Sequence, residues 1–405
     1  MTSNFKSAPA YPFTAILYLS FAAFASALSL RVTDALLPRL AGEFDISLGS
    51  ASYIVTAFSV AYGISQLFFG PLGDRFGKYL VVAWACLACA GTAMLCALAP
   101  NFPMLLFARL LAGGTAAAVI PLSMAWLGDV VPYEHRQPVL ARFLTGQIIG
   151  LSSGVFVGGF AADHLNWRLP FFAISLIFVT IGLLLLSRNR SLSAYMQTPR
   201  MTDESAIRRM VTEFGQVLIK PWARVVLMTV FLEGACVYGA FAFIAFHLHS
   251  VHSISLSTAG SLLMLFGFGG LLFATTARIF VKKLGEIGLA QWGGVLLAFS
   301  LLVIALAPSW WWAFPGCFVA GLGFYMLHNT LQINATQMAT ERRGAAVASF
   351  ASCFYLGQSV GVGIAAIFVE KLGTTIAISI GAIGVLLLSI NFSRLLRYSA
   401  LRPSI

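Results

Sequence analysis

The stretch Gly70-Pro71-Leu72-Gly73-Asp74-Arg75-Phe76-Gly77-Lys78 sets three charges and three glycines between two long apolar segments, in a chain where only 10% of residues are charged. Gly70 and Gly77 let backbones turn and helices approach closely, while Asp74, Arg75 and Lys78 gather both signs of charge at one membrane surface. Outward from it the chain is overwhelmingly apolar: 59% of its 405 residues are hydrophobic and the mean hydropathy is +0.88. A spanning helix needs about 20 mostly apolar residues. Twelve segments qualify, roughly 12–37, 50–72, 80–99, 103–125, 138–162, 169–187, 222–246, 256–281, 287–307, 310–335, 344–369 and 373–393. Their continuity excludes the alternating strands of a membrane barrel.

The net charge of +11 reports topology, not a nucleic-acid partner. With the N-terminus in the cytoplasm, 20 of the 25 basic residues fall on that side. Outer loops keep only Arg39, Arg168 and Lys371, and Arg31 and Arg109 lie within helices. This is the positive-inside bias, and an even number of helices puts both termini inside. No cleavable signal peptide is expected, because the first apolar run is too long and no small-residue cleavage site follows it. All six cysteines fall in expected spans, where a free cysteine packs as a small hydrophobe, so no disulfide or metal is expected. His247, His249 and His252 form an HxHxxH, but a helix does not bring all three to one face.

The halves repeat. Glu134-His135-Arg136 matches Glu341-Arg342-Arg343 at an offset of 341 − 134 = 207, and at the same offset Gly150, Ser152, Gly154 and Val155 fall on Gly357, Ser359, Gly361 and Val362. Gly114 likewise falls on Gly321. The counterpart of the opening stretch, with the offset slipped to 282 − 74 = 208, keeps only its closing glycine, Gly285, and has Lys282 where Asp74 should be. The expected organisation is a six-helix bundle over 1–187, a cytoplasmic linker over 188–221 and a second bundle with a short tail over 222–405. Duplicated halves suit a transporter with a midplane site between them.

Gly70, Asp74, Arg75, Gly77 and Lys78 resemble the signature loop between helices 2 and 3 of the major facilitator superfamily, with Tyr79 in place of a frequent second basic residue. The resemblance covers all twelve helices. Arg109, followed by Ala112-Gly113-Gly114, is similar to the family's second motif. Gly150, Gly154, Gly158 and Gly159 on helix 5 resemble the antiporter motif of the drug and metabolite efflux branch, although Val155 stands where that motif has a proline that would kink the helix. The stretch 321–329 on helix 10 is also similar to that branch, close to bacterial sugar and drug exporters.

What the resemblance implies is an all-α polytopic membrane protein of two pseudo-symmetric six-helix bundles in a bacterial plasma membrane. It implies a secondary active transporter, not an enzyme, exporting a small organic compound in exchange for protons by alternating access. An importer or facilitator shares the fold and the signature loop, and a non-transporting sensor is a third reading. Small-molecule substrate, protons and bilayer are the expected partners of a monomer, with no cofactor.

Ionisable groups within spans are costly and are candidates by default. Asp34 toward the outer end of helix 1, with Arg31 one turn before it, can form a self-satisfied ion pair or take up a proton. Glu233 stands alone on helix 7 and is the first candidate for protonation or for a substrate cation. Arg109 either biases a neighbouring acid or locks helix 4 to helix 1. Histidine is the side chain suited to proton handling near neutral pH, which makes His328 a second proton-handling candidate. With Asn329, Gln332 and Asn334 it gives helix 10 a polar face, and Gln66, Gln147, Tyr355 and Gln358 are further cavity-lining candidates. The opening stretch is expected to act as a latch between cytoplasmic helix ends, with Asp74 at a helix N-terminus and Arg75 or Lys78 on Asp129 or Glu134.

Overall fold

The computed structural model describes residues 12–189, 192 and 206–401, leaving aside the side chains of Tyr133, Glu134, Gln137, 206–211 and 399–401. Its helices are α1 (Phe13–Arg31), α2 (Leu37–Glu43), α3 (Leu48–Phe76), α4 (Lys78–Ala97), α5 (Phe102–Ala116), α6 (Val119–Val130), α7 (Tyr133–His164), α8 (Leu169–Asn189), α9 (Ala206–Ile219), α10 (Pro221–His252), α11 (Leu256–Leu306), α12 (Ala313–Gln337), α13 (Arg343–Leu372) and α14 (Thr374–Leu401). There is no strand among the described residues. Ten stretches are long and apolar enough to cross a bilayer, with α5 and α6 together making one of them. At 51 residues α11 is two spans in succession, broken at Gly285, whose φ is +63°. The 25-residue α12 is the twelfth span; its amides and histidine keep it below the apolarity of the other ten.

Two expected spans are interrupted. Helix 1 stops at Arg31 and resumes at Leu37, because Pro38 in the first turn of α2 cannot donate into a preceding helical turn. Asp34 therefore sits in a turn past the end of helix 1, not on the helix itself. Helix 4 breaks between Ala116 and Val119. The repeat is visible in both loops: Gly77 has φ +91° and Gly285 has φ +63°, a region that only glycine enters freely. The 70–78 stretch is not an open loop, since α3 stays helical to Phe76 and α4 starts at Lys78.

Glycines set how closely these helices pack. On α7, Gly146, Gly150, Gly154 and Gly158 face the carbonyl oxygens of Ser20, Phe24, Leu28 and Val32 on α1 and just past its end, and a Cβ at any of them would come within 3.0 Å of the facing oxygen. The second half repeats this contact at an offset of 207, with Gly357 and Gly361 of α13 on the carbonyls of Phe231 and Ala235 of α10. Small residues four apart are how helices without a hydrophobic drive between them gain close contact in a bilayer. α7 runs as one helix through Val155. The expected match of Gly114 to Gly321 is corrected by one residue: Gly113 packs on the Phe58 carbonyl as Gly321 packs on that of Phe266, an offset of 208. The apolar interior falls into two large clusters, one drawn mostly from residues 15–192 and the other almost wholly from 217–396.

A candidate charged seam between the two bundles

The termination of α1 inside the membrane frees carbonyls at its last turn, and an arginine meets one of them. Arg109 of α5, fully buried, donates from Nη1 to the Ser29 carbonyl (3.0 Å) and from Nη2 to Thr33 Oγ1 (3.3 Å), with its guanidinium 4.2 Å from the centre of the Phe58 ring. It thus caps a helix end that no water can reach. Arg109 thereby ties α5 to the end of α1.

Arg31 is the hub. Its Nη1 donates to Asp34 Oδ2 (3.2 Å) and its Nη2 to Gln358 Oε1 of α13 (3.3 Å), while its guanidinium carbon lies 3.8 Å from the centre of the Tyr238 ring on α10. Gln358 in turn donates from Nε2 to Ser59 Oγ of α3 (2.9 Å). One amide from the second bundle therefore bonds two helices of the first. Arg31, Asp34, Gln358 and Ser59 are all buried, and Asp34 Oδ1 has no hydrogen-bond partner among the described residues. Arg31, Ser152, Tyr238, Phe241, Phe266 and Tyr325 face a small cleft between the bundles.

The second group joins two residues singled out independently in the sequence. Glu233 of α10 lies with Oε2 2.8 Å from His328 Nδ1 of α12. Glu233 is completely buried and its Oε1 has no partner among the described residues, whereas the His328 side chain is 18% exposed. The imidazole stacks at 5.0 Å on Phe324 and lies 4.7 Å from Phe354 and 5.4 Å from Phe350. A carboxylate and an imidazole in contact, walled by aromatic rings, can pass a proton or exchange it for a cation.

The remaining candidates scatter. Tyr355 packs on Tyr62 with ring centres 4.1 Å apart. Gln66 is buried and Gln147 and Asn329 are half-buried. The polar face expected of helix 10 is split: Gln332 is exposed, whereas Asn334 is buried and donates to Glu286 and to the Thr330 carbonyl (2.9 Å). A residue two on from Gln332 points away from it on a helix. His247 lies 2.8 Å from Thr374 Oγ1 and His249 2.7 Å from the Ile254 carbonyl, so these two rings serve separate contacts. Missed in the sequence were Tyr238, Ser59 and Tyr62; Tyr238 was findable, because it stands at the repeat offset from Arg31 (238 − 31 = 207).

The expected latch gathers around Lys78. Lys78 Nζ meets Asp129 of α6 at 2.6 Å and Asp74 at 3.8 Å, so three of its members do converge. All of them belong to the first bundle, and the pairing ties α3, α4 and α6 within it. The Arg75 guanidinium lies over Phe76 at 5.2 Å, and the Glu134 side chain is outside the described residues. In the second half Glu286 occupies the position of Lys78 (286 − 78 = 208) and receives Asn334, so this position carries the opposite charge.

Two bundles of spanning helices meeting around a buried charged seam define a polytopic membrane transporter, not an enzyme. The chain belongs to the Major Facilitator Superfamily, whose sequence profile matches residues 19–362. It is 24% identical over 334 residues to the uncharacterised MFS-type transporter YceJ of Bacillus subtilis (strain 168), covering 82% of this chain and 83% of that one. It is 29% identical over 201 residues to the multidrug export protein EmrB of Escherichia coli (strain K12), covering 50% of this chain and 37% of EmrB. The crystal structure of a point mutant of the peptide transporter POT superposes with a TM-score of 0.77 at 15% identity, covering 98% of this chain and 96% of that chain, a likeness of fold alone.

Proposed function

We propose that this transporter exports a small organic compound in exchange for protons, by alternating access, with Glu233 and His328 as the exchange site and Asp34, Arg31 and Arg109 as a second charged group coupled to the bundle interface. The observation that carries the reading is the buried Glu233–His328 contact inside a ring of Phe324, Phe350 and Phe354. A carboxyl group can hold a proton or a cationic substrate, not both, which makes proton entry and substrate exit exclusive at one atom. Phenylalanine faces favour a flat or lipophilic substrate, and a positive one most of all. Export is supported by the glycines of α7 and by the likeness to EmrB. Residues 1–187 and 222–405 are the moving bodies in this reading, joined by 188–221, with both termini in the cytoplasm as the placement of the basic residues implies.

The test is reconstitution in liposomes with an internal pH dye, screening lipophilic cations, sugars and small metabolites. An outward substrate gradient should drive protons inward, and Glu233→Gln should abolish that flux and weaken binding of a cationic substrate. Substrate flux indifferent to a pH gradient, in wild type and variant alike, would overturn the coupling.

A further inference from the structure

The bundles touch at the face opposite the 70–78 turn, because α3 enters there at Leu48 and runs 29 residues before reaching the turn. Two carboxylates cross between the bundles on that face. Asp163, at the end of α7, accepts from the backbone N–H of Ser257 at 2.6 Å. Glu370, at the end of α13, accepts from Ser47 Oγ, and its Oε1 fills the space that a Cβ on Gly49 would need.

These contacts are copies. Asp163 and Glu370 are 370 − 163 = 207 positions apart. Their targets, Gly49 and Ser257, are 257 − 49 = 208 apart, and each is the second residue of its helix. Ser47 caps α3 by accepting from the Ser50 N–H, and Ser255 caps α11 by accepting from the Thr258 N–H, both at 3.1 Å. The differences compensate: the shorter Asp163 meets a serine backbone, and the longer Glu370 lies against a glycine. A carboxylate at a helix N-terminus is stabilised by the unpaired N–H groups and the macrodipole. The pair bridges one bundle to the other, so its energy belongs only to the conformation in which this face is shut.

We infer that Asp163 with the N-terminus of α11, and Glu370 with the N-terminus of α3, form a duplicated clasp that holds this face closed and sets the closed-to-open ratio of the transporter.

The test uses nitroxide labels at positions 165 and 372, exposed ends of α7 and α13 on that face, in full-length protein whose six native cysteines have been replaced. Spin–spin distances report the closed and open populations, and elution profile and Tm report folding. Asp163→Asn and Glu370→Gln should each raise the open-to-closed ratio roughly two- to fivefold, and together by about the product of the two, since the contacts are separate. Gly49→Ala displaces the Glu370 carboxylate without altering a charge, so it should match Glu370→Gln and add nothing to it. A double charge variant with the parent's distance distribution would overturn the clasp. Additive effects of Gly49→Ala and Glu370→Gln would overturn the assignment of Glu370 to α3.

Discussion

Adjacent glycines on α7 should fail in different ways when filled. A Cβ on Gly158 would come within 3.0 Å of the Val32 carbonyl oxygen at the end of α1, and one on Gly159 within 3.0 Å of the Leu256 carbonyl oxygen of α11. Ordinary contact begins at 3.4 Å and the opposing atoms are backbone, so neither clash is relieved by a side-chain rotation. Overpacking of this kind costs about 1–3 kcal/mol. α1 and α7 belong to one bundle, so Gly158→Ala bears that cost in every conformation and should lower Tm by several degrees. α7 and α11 belong to different bundles, so Gly159→Ala bears it only while their shared face is shut. The same 1–3 kcal/mol then becomes a roughly 5- to 150-fold shift toward the open state. Any gain in helix propensity from glycine to alanine is common to both and cancels in the comparison. Thermal unfolding and the distance between labels at 165 and 372 separate the two outcomes. If Gly159→Ala lowers Tm as Gly158→Ala does and leaves the distances unchanged, the division into rigid bundles with a closing face at Leu256 is wrong.

Gln358→Leu keeps the side chain's bulk but removes the bonds to Arg31 and Ser59; such bonds average about 0.6 kcal/mol each between membrane helices, so the open-to-closed ratio should rise roughly eightfold in the same distance assay. Asp34→Asn leaves Arg31 buried without its counter-charge, a loss on the order of 3–5 kcal/mol for a broken buried pair; adding Arg31→Gln should recover Tm but not proton-driven flux if Asp34 takes part in coupling. Lys78→Met should have a mild effect despite the 2.6 Å contact, because Asp129 is 55% exposed and such pairs contribute at most about 1 kcal/mol; transport in liposomes should fall less than about fivefold.

The helices and the family were legible because a bilayer enforces them: long apolar runs, basic residues on one side, and a loop whose glycines and charges keep their spacing. The charged residues were legible for the same reason, since Arg31, Asp34, Arg109, Glu233 and His328 stand out against an apolar background. What they touch was partly legible. Arg31 and Asp34 are three apart and were expected to pair, while Glu233 and His328 lie 95 positions apart and meet only because α10 packs on α12. The break after Arg31 was hidden inside an apolar run, though Pro38 marks it. The helix 10 amides misled because polarity was read without phase: Gln332 and Asn334 cannot share a face. Asp163 and Glu370 passed unnoticed because a carboxylate at a helix end looks like a solvated loop residue until the opposing N-terminus is in view.

The duplication also explains where the halves were free to stay alike and where they were not. Away from the pseudo-symmetry axis, the same kind of residue can serve the same purpose twice, as the glycine ridges and the carboxylate clasps do. Near the pseudo-symmetry axis a residue meets its own copy. Arg31 does so: Tyr238 is its counterpart at offset 207, and the guanidinium rests 3.8 Å from that ring. Two arginines there would face each other at about 4 Å, a repulsion of roughly 4 kcal/mol at an effective dielectric of about 20. A tyrosine in the second copy replaces that repulsion with attraction to the ring face. Asp34 has Phe241 as its counterpart at the same offset, and that ring lies 5.8 Å from the same guanidinium. A buried ion on the axis can therefore be carried by one half only, and the asymmetry that gives this transporter its charged chemistry is imposed by the symmetry of its fold. Tyr238→Arg tests that step directly: the variant should lose the closed conformation in the distance assay, whereas Tyr238→Phe, which keeps the ring, should retain it.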